Sequence, residues 1–235
     1  MKIFLDAGHN DSGWNTGAVA NGLREQDLTY NTAKLCGDFL RQNGVDVKLS
    51  RPTKETNLGT NNATSLSERC RLANEWGADY FLSIHYNAGG GTGTETFYKT
   101  EEGRKFGQPI QDAVVQTLGL TDRGNKYRGN LAVLNGTKMP AALLEVAFLD
   151  NVRDAAVISL RQHDIAHAIA TGIMQQLDID DREDVDTPQT DHWAQPDVMY
   201  LESIGVLLSE GRLDDPITRG EMVSLLARYH RAAWQ

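Results

Sequence analysis

Ala141-Ala142-Leu143-Leu144-Glu145-Val146-Ala147-Phe148-Leu149 is apolar at odd and even positions alike, apart from one carboxylate. A run without alternation is the pattern of a central strand buried on both faces, as in an α/β sheet with helices on either side. An unpaired charge in such a strand costs several kcal/mol. Glu145 therefore needs a compensating partner, and a metal ion with its bound water is one that fits.

Two other apolar runs lead to histidines. Lys2-Ile3-Phe4-Leu5-Asp6 reads as a first strand, and Ala7-Gly8-His9-Asn10 follows it, with a glycine that lets the backbone turn before the imidazole. Tyr80-Phe81-Leu82-Ser83-Ile84-His85 repeats the arrangement before Tyr86-Asn87-Ala88-Gly89-Gly90-Gly91 breaks away as a loop. Sites in open α/β sheets form at the carboxyl ends of strands. Glu25 stands in the first turn of a helix expected from 25 to 42, where its carboxylate points back over the entry loop. Two imidazole nitrogens and one carboxylate oxygen make a catalytic zinc shell with an open fourth position. Taken singly, a strand-end histidine is an ordinary hydrogen-bonding residue and a first-turn glutamate merely favours the helix dipole. Their joint placement, with Glu145 on a fourth segment, selects the catalytic reading.

These residues lie in stretches that resemble the zinc-dependent N-acetylmuramoyl-L-alanine amidases of the Amidase_3 type, which occur in bacterial cell-wall hydrolases and phage endolysins. The stretches are Leu5–His9, Leu23–Leu28, Leu66–Asn74, Ala78–Ala88 and Ala142–Leu149, in family order, within residues 1 to 177. The resemblance implies zinc ligation by His9, Glu25 and His85, with Glu145 as the catalytic carboxylate. It further implies hydrolysis of the amide between the lactyl group of N-acetylmuramic acid and L-alanine in peptidoglycan. Asn10 departs from the commoner glycine after the histidine, which alters loop shape rather than metal chemistry. Arg51 and Asn87 match family positions loosely and are substrate-contact candidates; an ion pair and a turn hydrogen bond are the competing readings.

Outward from the site, the pattern predicts strands at 2–6, 45–50, 79–84, 94–98, 131–134 and 141–147 and helices at 25–42, 66–76, 102–118 and 160–177. The expected architecture is a twisted, mostly parallel or mixed six-stranded sheet flanked by helices, with a small C-terminal helical module. Residues 1–177 form the catalytic domain. Residues 178–190 form a linker, whose first eleven residues carry net −5 of the chain's −9 and favour solvated backbone. A calcium loop is the sharper alternative there, opposed by the missing glycine at its sixth position and glutamate at its twelfth. Residues 191–235, with Asp191-His192-Trp193-Ala194 and Ile217-Thr218-Arg219-Gly220-Glu221-Met222, resemble one S-layer homology repeat, a module that binds secondary cell-wall polymers. A helical hairpin packed on the catalytic domain is the plainer alternative, and His192 and His230 are expected to help pack the module.

The remaining signals bound the function. The acidic balance, without a basic and aromatic pattern, argues against a nucleic-acid partner, and no apolar stretch is long enough for membrane insertion. The first residues already form the strand that leads to the site, leaving no room for a signal peptide. An endolysin-like route is therefore expected, with synthesis in the host cytoplasm and release to the wall; a mature secreted enzyme is the alternative. Cys36 and Cys70 are expected to be ordinary buried thiols. His163 and His167 share a helical face but lack the glutamate of a zincin motif. Gly89–Thr94 lacks a phosphate-loop ending and reads as flexible groove wall. A zinc peptidase cutting within the stem peptide shares the same ligand set, whereas a non-catalytic wall-binding protein would depend on 191–235 alone.

Overall fold

The structure, a computed structural model, describes residues 1–179. In chain order the elements are β1 (Lys2–Ala7), β2 (Val19–Ala20), β3 (Leu23–Arg24), α1 (Glu25–Gln42), β4 (Asp46–Leu49), α2 (Asn62–Trp76), β5 (Tyr80–Asn87), β6 (Thr94–Tyr98), α3 (Glu101–Leu118), β7 (Asp122–Tyr127), α4 (Ala132–Gly136), β8 (Ala141–Phe148), α5 (Val152–Leu160) and α6 (Gln162–Gln176). Six strands form one sheet in the order β4-β1-β5-β8-β6-β7, and β2 pairs with β3 as a separate ribbon. Every neighbour in the large sheet is parallel except β6 and β8, so the sheet is mixed. β8 lies inside it, as its unbroken apolar run requires.

The period-2 geometry of the strands divides the core in two. Ile3, Leu5, Leu82, Ile84, Ala142, Leu144 and Val146 face a thick layer that includes Leu28, Cys36 and Leu40 of α1, Ile110 and Val114 of α3, and Ile169 and Ile173 of α6. The alternate residues Phe4, Phe81, Ala141, Leu143 and Phe97 face a thinner layer with Cys70 and Ala73 of α2 and Val133 and Leu134 of α4. Each fully buried aliphatic or aromatic side chain contributes about 1.5–3 kcal/mol.

Helix boundaries follow local chemistry. Asn61 caps α2 by accepting from Thr64 N, with Thr64 closing the reciprocal box, and Gly77 ends the helix in the left-handed region at φ 67°. Thr100 caps α3 through Gly103 N, and Asn151 caps α5 through Arg153 N and Asp154 N. Glu25 and Asp27 occupy the first turn of α1 and Arg41 its last, matching the helix dipole.

Two expectations require correction. The segment predicted as a strand at 131–134 is the short helix α4: consecutive Val133 and Leu134 bury into the same cluster, with Leu131 packed beside them, which a strand's alternation forbids. The sixth strand is instead Asp122–Tyr127, an edge strand of polar sequence. The helix expected at 160–177 is α6 (Gln162–Gln176); α5 (Val152–Leu160), which precedes it, was not expected, and Arg161, whose φ −130° and ψ 30° are not helical, separates the two. At the C-terminal end of the described residues, Ile179 still folds back, its N–H donating to Met174 O at 3.0 Å. The rest of the expected linker and the module at 191–235 lie outside the described residues. No helix among the described residues is long and apolar enough to cross a membrane.

Candidate metal centre

The ladder between β1 and β5 ends with Gly8 N–H donating to Ile84 O at 3.1 Å. The next rung would join Tyr86 N–H to Gly8 O, but the first turn of α1 takes both groups. Thr29 Oγ1 donates to Gly8 O at 2.7 Å, and Tyr86 N–H donates to Glu25 Oε1 at 3.2 Å. Glu25 Oε2 also accepts from Ala18 N at 2.9 Å. The helix start thus stands where the strand stops and delivers Glu25 to the sheet edge.

His9 has a left-handed backbone, φ 66°, rare for a residue with a Cβ. Arg69, buried in α2, holds it there: its guanidinium donates to Ala7 O, His9 O and Asn10 Oδ1 and pairs with Asp6. Burial alone would raise the Asp6 pKa, but Arg69 and the neighbouring serines outweigh it and keep the carboxyl below its ordinary range. Asn10, whose side chain brackets Leu58 through its N–H and carbonyl, anchors the same turn. The departure from glycine at this position therefore has a partner across the loop.

His9 Nδ1 lies 3.2 Å from Asn15 O. A carbonyl only accepts, so Nδ1 carries the proton and Nε2 of the neutral ring presents a lone pair. That lone pair faces Glu25 Oε1 at 2.9 Å, and His85 Nδ1 lies 3.1 Å from the same oxygen and 3.2 Å from His9 Nε2. Two acceptors at 2.9 Å require a cation or a proton between them. Ligand atoms bound at 2.0–2.1 Å around a tetrahedral zinc stand about 3.3 Å apart, so the observed triangle matches within a few tenths of an ångström. His9, Glu25 and His85 form a group of donors able to hold one divalent ion. Burial would push Glu25 up, but where protons on the imidazoles take the place of a cation between these atoms, hydrogen bonds and charge from His85 and His9 hold it well below the ordinary carboxylate range.

Glu145 is the lateral neighbour of His85 on β5 and of Glu95 on β6, so the three side chains share one face of the sheet. Its Oε2 is buried without a hydrogen-bond partner. Burial, then the charges of Glu25 and Glu95, raise its pKa well above the usual value, with Arg128 opposing. Glu95 itself is satisfied by Asn87 Nδ2 at 2.8 Å and Lys126 Nζ at 2.7 Å. A cleft of about 360 Å³ is lined by His9, Asn15, His85, Asn87, Arg128 and Glu145, among others.

Residues 3–175 match the family model described as N-acetylmuramoyl-L-alanine amidase. The chain belongs to this amidase family. It is 41% identical over 177 residues to N-acetylmuramoyl-L-alanine amidase CwlM of Bacillus licheniformis, covering 73% of this chain and 65% of that protein. The Bacillus phage SPP1 endolysin is 36% identical over 189 residues, covering 75% of this chain and 66% of the endolysin. The chain thus spans just under two thirds of the length of these two relatives. Among solved structures, the catalytic domain of CwlV from Bacillus (Paenibacillus) polymyxa var. colistinus has a TM-score of 0.68 at 33% identity, covering 76% of this chain and 99% of that one.

Elsewhere in this amidase-family chain, Asn87 reaches the cleft while its amide holds Glu95. Arg51 does not reach the cleft: it is fully buried, with its guanidinium donating to Gln26 O, His9 O and Lys54 O, and it braces the loop beneath the site. The glycine-rich segment is anchored, with Gly89 N and Gly90 N donating to Asp150 and Thr92 and Gly93 to Asp154, which corrects the reading of a loose wall. His163 and His167 stand edge-on to Phe39. Cys36 and Cys70 are free and buried. Sequence reasoning missed Asn15, Arg69 and Glu95. Arg69 and Glu95 carried a usable signal, each being a charge within an otherwise packed helix or strand face; Asn15 acts through its carbonyl and carried none.

Proposed function

We propose that the protein hydrolyses the amide between the lactyl group of N-acetylmuramic acid and L-alanine in peptidoglycan, with zinc held by His9 Nε2, Glu25 Oε1 and His85 Nδ1. The observation that carries this reading is the set of facing acceptors beside the unpartnered oxygen of Glu145. Bound zinc supplies Lewis acidity, polarising the scissile carbonyl and lowering the pKa of a water ligand to about 7. Glu145 then accepts the proton of the attacking water and returns it to the departing amine of L-alanine, a double duty suited to a carboxyl with a raised pKa. Asn15 O fixes the His9 tautomer, and Arg69 fixes the backbone that carries it. No covalent enzyme intermediate is needed.

Turbidity loss of purified cell walls tests this reading. Wild type, chelated protein with and without zinc restoration, and Glu145→Gln would be compared, and the released ends identified by mass spectrometry. Muramic-acid ends with free N-terminal L-alanine, dependent on zinc and Glu145, are expected. Cleavage within the stem peptide would replace the amidase with a zinc peptidase, and wall binding without cleavage would leave a binding protein.

The proposal extends to the rest of the chain: residues 178–190 act as the acidic linker, and 191–235 bind a secondary cell-wall polymer. The latter rests on the His-Trp-Ala and Ile-Thr-Arg-Gly-Glu-Met stretches, and cosedimentation with walls stripped of that polymer tests it. Release to the wall from a host cytoplasm, as for an endolysin, draws on the likeness to the SPP1 protein; export as a mature secreted enzyme is the competing route.

A further inference from the structure

The cations along the β6–β7 edge differ in what holds them. Lys126 Nζ and Arg123 Nε lie 2.7 and 3.3 Å from the buried carboxylate of Glu95, which takes up their charge. Arg128, the first residue beyond β7, makes no ion pair among the described residues. Its backbone N–H donates to Tyr98 O at 2.7 Å, prolonging the ladder. Its guanidinium carbon stands 4.8 Å from the centroid of the Phe97 ring. Phe97, Arg128 and Glu145 line the cleft that holds His9 and His85.

A guanidinium resting on an aromatic face is restrained in plane while its edge N–H groups remain available. Such a group is a preformed receptor for a carboxylate, which it binds through two parallel hydrogen bonds. Glu145 lines the same cleft, yet the two form no ion pair among the described residues, so the fork remains open to a ligand. Given the amidase reading above, on which this inference rests, the ligand chemistry follows from the substrate. In the stem peptide L-alanine is followed by D-glutamate joined through its γ-carboxyl. The α-carboxyl of that residue is the first anionic group past the scissile bond, one Cα step of about 3.8 Å beyond L-alanine. It occurs either free or amidated.

We propose that Arg128, backed by Phe97, receives the free α-carboxylate of the D-glutamyl residue and makes the enzyme selective for stems in which that group is not amidated. The test uses the full-length, zinc-loaded protein and two soluble muramoyl peptides that differ only in D-glutamate against D-isoglutamine. For wild type, kcat/KM is expected to favour the free acid about tenfold, equivalent to about 1.4 kcal/mol. Arg128→Gln should lose this advantage on the acid alone, bringing the ratio to about one, with Arg128→Lys intermediate. Competitive inhibition by the released peptides, acid against amide, should show the same ordering.

A wild-type ratio near one overturns the inference. So does an equal loss on both substrates in Arg128→Gln, which would assign the arginine to the electrostatics of Glu145. If wild type cleaves neither substrate while digesting neither walls nor longer stems, the amidase reading itself fails. Cleavage with a ratio unaffected by Arg128 removes only the carboxylate contact.

Discussion

Replacing Gly8 by alanine would place a methyl carbon 2.4 Å from Cε1, 2.5 Å from Nε2 and 2.8 Å from Nδ1 of His85. Ordinary contact begins at 3.4 Å, so ring and methyl must separate by about 1 Å. The backbone of Gly8 cannot retreat easily, because its N–H is tied to Ile84 O and its carbonyl to Thr29 Oγ1. The imidazole is the part free to rotate. Metal–ligand distances hold within about 0.2 Å, so a ring displaced by about 1 Å no longer ligates. Loss of orienting contacts alone costs 10- to 100-fold in affinity. Gly8→Ala is therefore expected to weaken zinc binding by at least about 100-fold, or about 2.7 kcal/mol. Competition with a chromophoric chelator measures this, and thermal unfolding of metal-free protein checks that the fold persists. Gly13→Ala serves as the control: its added carbon meets nothing within 4 Å and its φ is +72°, so it should cost roughly 1 kcal/mol of backbone strain without touching zinc affinity. Wild-type zinc affinity in Gly8→Ala would refute the placement of His85 as a ligand.

Glu145→Gln should lower turnover by about 10²- to 10⁴-fold and change the pH dependence of stability in metal-free protein. The folded pKa of Glu145 is raised, by burial and then by Glu25 and Glu95, so its contribution is intact below its ordinary value of 4.5 and declines as pH rises through the folded value. Urea midpoints of wild type and variant should diverge over that interval, and a pH-independent difference would contradict the assignment. Arg69→Met leaves Asp6 buried without its partner and is expected to cost about 3–5 kcal/mol in urea unfolding at neutral pH; a loss below about 1 kcal/mol would show the pair to be dispensable. Burial pushes the Cys70 thiol up to about 11 and Cys36 higher still, so neither should react with a thiol-specific chromogen at neutral pH until the protein unfolds. Prompt reaction of either in native protein would refute their enclosure.

The candidate site residues were legible because each is a charged or polar residue in a place where apolar or neutral residues are the rule. Glu145 breaks a doubly apolar strand, and His9 and His85 follow two apolar runs of similar length. The coarse α/β order was legible for the same reason, since β1, β5 and β8 are buried on both faces and their sequences say so. β7 was not: Asp122-Arg123-Gly124-Asn125-Lys126-Tyr127 lies at the sheet edge, largely half-exposed, and no apolar pattern is required of it. α4 misled because a five-residue helix is too short to display a 3.6-residue period. The role of Asn15 was invisible for a different reason, since a backbone carbonyl belongs to every residue type.

The two faces of the sheet explain how a stable fold accommodates so unfavourable a carboxylate. On the face turned towards α2 and α4, successive rows pass from Phe4, Phe81 and Ala141, through Asp6, Ser83, Leu143 and Phe97, to His85, Glu145 and Glu95. Each row lies two residues, about 6.7 Å, beyond the last. Apolar packing thus gives way first to a compensated ion pair at Asp6 and Arg69 and then to ionisable groups at the cleft. A one-residue slip of β8 would turn Glu145 into the thick layer occupied by Ile110 and Ile169, where it would meet neither a ligand nor a cation, and would expose Leu144 and Val146 to the cleft in its place. The register is therefore fixed by the same alternation that places the charge. The irregularity between His85 and Asn87 falls where the site begins, as bulges beside active sites do. There Leu149 N–H donates to Asn87 O at 2.8 Å, so β5 bends while still bound to the chain leaving β8. The apolar rows supply the stability, and their rigidity sets the spacing from which His85 and Glu145 face a common cleft.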